Sequence, residues 1–425
     1  MNLLNDFKNY ILSKKIQIYL VLYLFIFLYA PPILIDFNIV FILFIFSFIL
    51  IIKNYKIEIK SIFKNLTIKR FFIGIILYSI YFLLILGVNL CFFETVNLIS
   101  YLTVIYSYIL FFPITLICSL YVICLCIRNK ITLDNLIKYF ICACLIQTGI
   151  AILALVFRDF KEILLQLMYK HTGDDLLITP WLNHRRFFGF SRNLLDLFGL
   201  GTGILCGIVI LQIRNHKKYI YLVPFIILLT LLNSKTGLVI IAISFILLFF
   251  DKKNRKLIFV FFSKYKYYIL IVSLITIIAL CFFIPETIEW VINDFLSFLP
   301  NSNNKGIASL LFSKDFWTFP DNIFAFLFGT GHNIFAVDGF VHSDIGYVNE
   351  IWKTGMLGFF LLYGNILMLF YTLFKNQNYL TKYLGLLFAI SLLIFMIKGQ
   401  VIGYNPATPL MFTISLYACI EKGKN

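Results

Sequence analysis

Long apolar runs, each parted from the next by a short polar break, recur from one end of this chain to the other. The hydrocarbon core of a bilayer is roughly 30 Å thick and takes about 20 apolar residues per helical crossing. About twelve stretches of the 425 residues meet or approach that length, near 16–35, 37–52, 71–92, 101–126, 139–157, 194–213, 219–233, 236–250, 267–284, 354–374, 383–400 and 407–420. With 61% hydrophobic and 13% charged residues and a mean hydropathy of +0.94, the chain is excluded from the water-soluble globular class. The expectation is an all-α, polytopic integral membrane protein, with residues 1–425 forming one membrane domain of about 12 transmembrane helices. The runs flanking Asn233-Ser234-Lys235-Thr236-Gly237 are short, which leaves a re-entrant hairpin as an alternative there.

Charge provides an independent test, because cytoplasmic segments accumulate Lys and Arg. With the N-terminus inside, the inner segments hold 25 of the 36 Lys+Arg and 5 of the 20 Asp+Glu. Lys53 to Arg70 and Asp251 to Lys266 contribute six basic residues each, and Arg214 to Lys218 contributes three. Both termini are then expected in the cytoplasm. The net +16 reflects orientation in the membrane and not nucleic-acid binding, which calls for a basic patch on one folded face. No short hydrophobic leader with a small-residue cleavage site precedes the first run, so an uncleaved span after an amphipathic lead-in (Met1 to Lys15) is expected. All nine cysteines fall in or at the ends of apolar runs, and Cys124-Leu125-Cys126 and Cys142-Ala143-Cys144 lack zinc-ligand spacing. They read as small apolar fillers.

Only two loops are long, 158–193 and 285–353, and both fall on the outer side. A transporter commonly binds cargo at the midplane through broken helices and keeps its loops short. Two long outer loops of mixed charge suggest a catalytic cap instead. Each loop carries a helix-like apolar pattern: Phe160, Ile163, Leu164 and Leu167 in the first, Ile307, Leu310 and Leu311 in the second.

The first loop ends in Asn183-His184-Arg185-Arg186-Phe187-Phe188-Gly189-Phe190-Ser191-Arg192. Three arginines stand here on the side that the positive-inside rule depletes of them. Interfacial anchoring beside Trp181 and the phenylalanines is one account. Binding of a phosphate or diphosphate by the planar guanidinium fork is the other, and three within eight residues favour it. Asp196, inside the next run, is expected to pair with Arg192 or Arg186. Lys235, at the outer turn of the short hairpin, and Lys398, near the outer end of the eleventh run, are further cations in apolar surroundings. Snorkelling or a carboxylate partner accounts for either alone; with the arginines they would suit a polyprenyl diphosphate head group.

In the second loop Gly329-Thr330-Gly331-His332-Asn333 precedes Asp338 and His342-Ser343-Asp344-Ile345-Gly346-Tyr347-Val348-Asn349-Glu350. The glycines follow no strand and make no nucleotide fingerprint. His332, Asp338, His342 and Asp344 match no familiar ligand spacing, so neither metal nor cofactor is expected. A general base is the preferred reading, with His342, Asp344 or Glu350 taking a proton from an attacking sugar hydroxyl and with His332 and Tyr347 as further candidates. Capping of the following helix by His342 or Asp344 stands beside it.

Arg186-Phe187-Phe188-Gly189-Phe190, then Asn233-Ser234-Lys235-Thr236-Gly237, then Gly329-Thr330-Gly331-His332-Asn333 through His342-Ser343-Asp344-Ile345-Gly346-Tyr347 to Gly355-Met356-Leu357-Gly358 occur in this order. In that order the chain resembles the O-antigen polymerase family, whose fold overlaps that of the O-antigen ligases. The resemblance covers the second half of the chain and reaches the first four runs by hydropathy alone. It implies a GT-C-like helical glycosyltransferase of the bacterial inner membrane, working at its periplasmic face. Such an enzyme moves a growing glycan from undecaprenyl diphosphate onto a fresh lipid-linked repeat unit, and the resemblance leaves room for a chain-length regulator protein as a partner. The family's spacing of ten residues between arginine and glycine is met by Arg192 and Gly203, which makes Arg192 a candidate beside Arg186. Lys235 stands where relatives commonly have arginine, keeping the charge but losing the bidentate fork. The ligases place Gly-x-x-Gly nine residues after a His-Asn/Ser pair; here eleven residues separate His342-Ser343 from Gly355, which favours polymerase. A ligase and a lipid-linked oligosaccharide flippase are the alternatives. A small-solute transporter is weaker, because the sequence shows no pair of broken helices with intramembrane acids.

Overall fold

The computed structural model describes residues 2–32, 38–92, 106–172, 190–191, 195–250, 317–331, 345–399 and 406–422, together with the single positions 255, 263, 266, 267 and 292. Among them the regular structure is helical throughout, with no strand. In chain order the helices are α1 (Asn2–Tyr29), α2 (Ile39–Asn54), α3 (Lys56–Lys64), α4 (Leu66–Phe92), α5 (Phe112–Arg128), α6 (Leu133–Val156), α7 (Arg158–Thr172) and α8 (Leu195–Gln212). They continue as α9 (Val223–Leu231), α10 (Lys235–Phe250), α11 (Ile323–Phe328), α12 (Gly346–Phe359), α13 (Asn365–Phe374), α14 (Tyr379–Lys398) and α15 (Ala407–Lys422). Wide π-helical turns at Tyr106–Phe111 and Phe360–Gly364 lead into α5 and α13, and a 3-10 turn at Lys217–Tyr221 precedes α9.

Among the described residues four helical stretches are long and apolar enough to cross a membrane: Leu66–Val88, Leu133–Val156, Gly346–Phe374 and Tyr379–Ile397. The pair α2 and α3, bent by 91°, makes a fifth if it is one span. Phe112–Arg128, Phe198–Gln212, Thr236–Phe250 and Ala407–Glu421 are apolar but shorter. The sequence led us to expect about twelve crossings. The run near 267–284 falls outside the described residues, as does the start of the run near 101–126. Within the described residues α9, at nine residues, rises only about 14 Å at roughly 1.5 Å per residue. Local chemistry sets several starts. The Asn38, Asn322 and Asn378 side chains accept the backbone N–H groups of Val40 (3.1 Å), Phe324 (2.8 Å) and Leu380 (2.9 Å), each satisfying a helix-start donor.

The chain divides into two compact units. The first comprises Met1–Lys60, Leu116–Ile241 and Asn405–Glu421. In it Tyr23 hydrogen-bonds Ser47 at 2.6 Å and packs its ring, tilted by 50°, at 5.3 Å from that of Tyr121, whose hydroxyl meets that of Tyr19 at 2.9 Å. At the end of α5, Arg128 lies 4.8 Å over the Tyr55 ring and 3.7 Å from Glu58. The Glu421 carboxylate accepts the Leu133 N–H at 2.8 Å, which ties α15 to the start of α6. A helix forms in the expected first loop as α7, but its buried face is Leu164, Leu165 and Met168, while Ile163 and Leu167 of the expected apolar pattern are exposed; Arg158 and Glu162 pair on the exposed side at 3.5 Å.

Small residues let backbones meet where α8 crosses the α9–α10 hairpin. A methyl group on Gly203 would come within 2.6 Å of the Gly237 carbonyl, and one on Gly199 would overlap Ser234. Thr230 donates to Thr202 at 3.1 Å across the same contact. The Ser234-Lys235-Thr236-Gly237 motif is thus the tight turn and first turn of α10, with Ser234, Thr236 and Gly237 buried.

Candidate functional site

The second unit, Ser61–Thr115, Ala242–Tyr404 and Lys422–Asn425, is organised around a broken helix. Gly355 lies inside α12 with φ 66° and ψ 176°, left-handed values that L side chains resist. A methyl group there would also overlap the Leu327 carbonyl. The break strips the Trp352 and Lys353 carbonyls of their helical donors. Thr330 N–H replaces one at 2.7 Å and Gly331 N–H the other at 3.0 Å, and the Thr330 hydroxyl adds a bond to the Trp352 carbonyl at 2.9 Å. The Tyr81 hydroxyl reaches the Thr354 carbonyl at 2.9 Å and the Phe328 carbonyl at 3.1 Å. Gly329 and Gly331 adopt φ 83° and 73° to bring that segment in. A methyl group on Gly329 would meet Gly355 N and the Lys353 carbonyl at 2.5 Å. The Gly-Thr-Gly sequence is therefore the partner of the helix break. Irregular backbone at membrane depth is tolerated only where protein satisfies it in this way.

One turn before the break sits an ion pair. Glu350 is fully buried and Lys353 is 1% exposed, with Nζ 3.8 Å from Oε1. The Tyr108 hydroxyl donates to Glu350 Oε1, and the Lys353 ammonium lies 5.5 Å from the centre of the Tyr108 ring. Glu350 Oε2 is buried without a hydrogen-bond partner among the described residues. Tyr78 and Phe82 of α4 pack on Tyr108 at 6.2 and 5.8 Å, and Tyr363 stacks on Phe359 at 4.9 Å. Two charges removed from water in a candidate span are costly even when paired, and such residues mark function more often than stability.

The sequence assigned Glu350 to the end of a water-facing loop, with the next span opening at 354. The helix in fact begins at Gly346, because the pattern from Gly346 to Lys353 buries Val348, Asn349, Glu350, Ile351 and Lys353. Ile345 and not Asp344 occupies the N-cap, with no side-chain cap bond. Tyr347 is partly exposed and donates to the Leu393 carbonyl at 2.9 Å, joining α12 to α14. Gly346 sits against the Gly399 and Met396 carbonyls, so the backbone at Lys398, the last residue of α14, adjoins the start of α12. Lys235 is the first residue of α10 and belongs to the first unit. Arg185, Arg186, Arg192, His332, Asp338, His342 and Asp344 lie outside the described residues, as do Ile307, Leu310 and Leu311. Among the described residues no group of three or more His, Cys, Asp or Glu is placed to hold a metal ion.

Lys353 and the three tyrosines escaped the sequence reading. Lys353 carried a signal, since it stands three residues from Glu350 and so shares its helix face once the helix is known to start at Gly346. Tyr78, Tyr108 and Tyr363 carried none in a chain with 25 tyrosines. No protein-family model, curated protein or solved structure matches the chain.

Proposed function

We propose that this chain is an O-antigen polymerase, a glycosyltransferase that uses polyprenyl-diphosphate-linked sugars at the periplasmic face of the bacterial inner membrane. The observation that carries the reading is the set of three arginines, Arg185, Arg186 and Arg192, on the side of the chain where basic residues are otherwise sparse. In this reading the arginines, with Lys235 and Lys398, bind the diphosphate of the donor and stabilise the negative charge that grows on it as it departs. The acceptor hydroxyl attacks the anomeric carbon of the donor glycan, the carbon–oxygen bond to the diphosphate breaks, and undecaprenyl diphosphate leaves. In this reading the general base is His342 or Asp344, with His332 and Tyr347 as further candidates, since a base must reach the proton it removes and Glu350 is buried. The substrate is an undecaprenyl-diphosphate-linked oligosaccharide, and a chain-length regulator is the expected protein partner.

One observation favours a second reading, a lipid-linked oligosaccharide flippase. A glycine-broken helix carrying a buried acid is a construction that secondary transporters use, and Gly355 with Glu350 provides it. A lipopolysaccharide gel of a strain lacking the chain separates the possibilities. Core bearing a single repeat unit and no ladder supports polymerase. Core bearing no repeat rejects it, with lipid-linked polymer accumulating if the lost step is ligation and not if it is flipping.

A further inference from the structure

We infer that Glu350 is a proton-binding site coupled to the helix break at Gly355, so that the chain takes up and releases one proton as this part of the second unit changes conformation. The carboxylate has one oxygen engaged by the Tyr108 hydroxyl and by Lys353 at 3.8 Å, and one buried oxygen without a partner among the described residues. A metal cation is a poor occupant, because the Lys353 ammonium already stands beside the carboxylate and would repel it. A proton needs no added volume.

The groups that act on Glu350 are Tyr78 from α4, Tyr108 from the turn before α5, Lys353 from α12 itself and Tyr363 from the turn after it. Among the described residues Lys353 is the one charged group acting on Glu350. Binding is then a closed step. One O–H bond forms at Oε2 with a proton drawn from water, the carboxylate becomes neutral, and nothing is oxidised or reduced. Lys353 is left as an uncompensated buried cation. Its own carbonyl and that of Trp352 are the two held by Gly331 and Thr330, so a displacement of Lys353 pulls directly on the clasp of the broken helix. Release of the proton to water restores the pair.

Trp352 lies between the charged residues and the clasp, with its indole donating to the Thr318 carbonyl at 2.8 Å, and serves as a built-in reporter. The full chain, with Trp181, Trp290 and Trp317 replaced by Phe, is reconstituted in phosphatidylethanolamine/phosphatidylglycerol vesicles and its Trp352 emission followed from acid to alkaline pH. The expected result is a single-proton transition that is absent in Glu350→Gln and whose midpoint moves at least tenfold in proton concentration in Lys353→Met. If Glu350→Gln does not fold, Tyr108→Phe, which keeps the carboxylate and removes its donor, must move the midpoint. No transition, or the same transition in Glu350→Gln, or an unmoved midpoint in both other variants, overturns the inference. The readout contains no sugar, so its failure is distinct from a failure of the polymerase reading.

Discussion

Replacing the two members of the buried pair separately and together provides the sharpest test of how the second unit is held. Glu350 and Lys353 lie 3.8 Å apart, both essentially out of contact with solvent. At that separation an effective dielectric of about 20 gives an attraction of about 4 kcal/mol. Removing one partner forfeits this attraction and strands the other charge, a change that costs about 3–5 kcal/mol in buried pairs. Glu350→Gln retains an oxygen to accept from Tyr108, and Lys353→Met retains the apolar stem, so each single change isolates charge. The double variant has no buried charge to strand and is expected within about 1.5 kcal/mol of the parent. Reversible unfolding in mixed detergent micelles, followed by circular dichroism, measures all four corners of the cycle. Single variants that each lose less than about 1 kcal/mol, or a double variant that loses the sum of the two, would refute the argument.

Gly355→Ala is expected to cost more than about 3 kcal/mol, because a left-handed φ and an overlap with the Leu327 backbone act together; thermal unfolding of the purified protein checks this against Gly364→Ala, where added Cβ meets nothing. Burial, with repulsion from Arg158 second, holds the Lys161 ammonium down to about 7. The unfolded chain keeps that amine protonated to about pH 10, so it binds more protons across this window and the seating of α7 strengthens as pH rises from about 7 to about 10. Below about 7 the penalty is complete. Chymotryptic cleavage within Arg158–Thr172 should show that dependence in the parent and lose it in Lys161→Met. In the polymerase reading Arg186→Ala or His342→Ala abolishes long-chain glycan at unchanged protein level, and normal ladders from both would remove these residues from the site.

The membrane class was legible because apolar composition and run length speak directly to the solvent a chain must use. The helix breaks were not, because a hydropathy average passes smoothly over Gly355, over the π turns at Tyr106–Phe111 and Phe360–Gly364, and over the 91° bend between α2 and α3. The Gly329-Thr330-Gly331 and Gly355-Met356-Leu357-Gly358 motifs were visible as sequence, yet their meaning is mutual. One supplies the N–H groups and the other the bare carbonyls, a pairing across 22 residues of chain between Thr330 and Trp352 that no local pattern encodes. Glu350 was singled out for its chemistry and misplaced by context. Once helix α12 is seen to start at Gly346, the same carboxylate becomes a buried group of a candidate span whose partner, Lys353, follows from helical spacing.

The central claim is that this chain joins lipid-linked glycans, and purified protein in phosphatidylethanolamine/phosphatidylglycerol vesicles tests it most directly. Given only undecaprenyl-diphosphate-linked repeat units, with no nucleotide sugar and no lipid A-core, it should produce a ladder of longer lipid-linked glycans and free undecaprenyl diphosphate. Repeat units recovered at their starting length, from protein shown to be folded, would contradict the account.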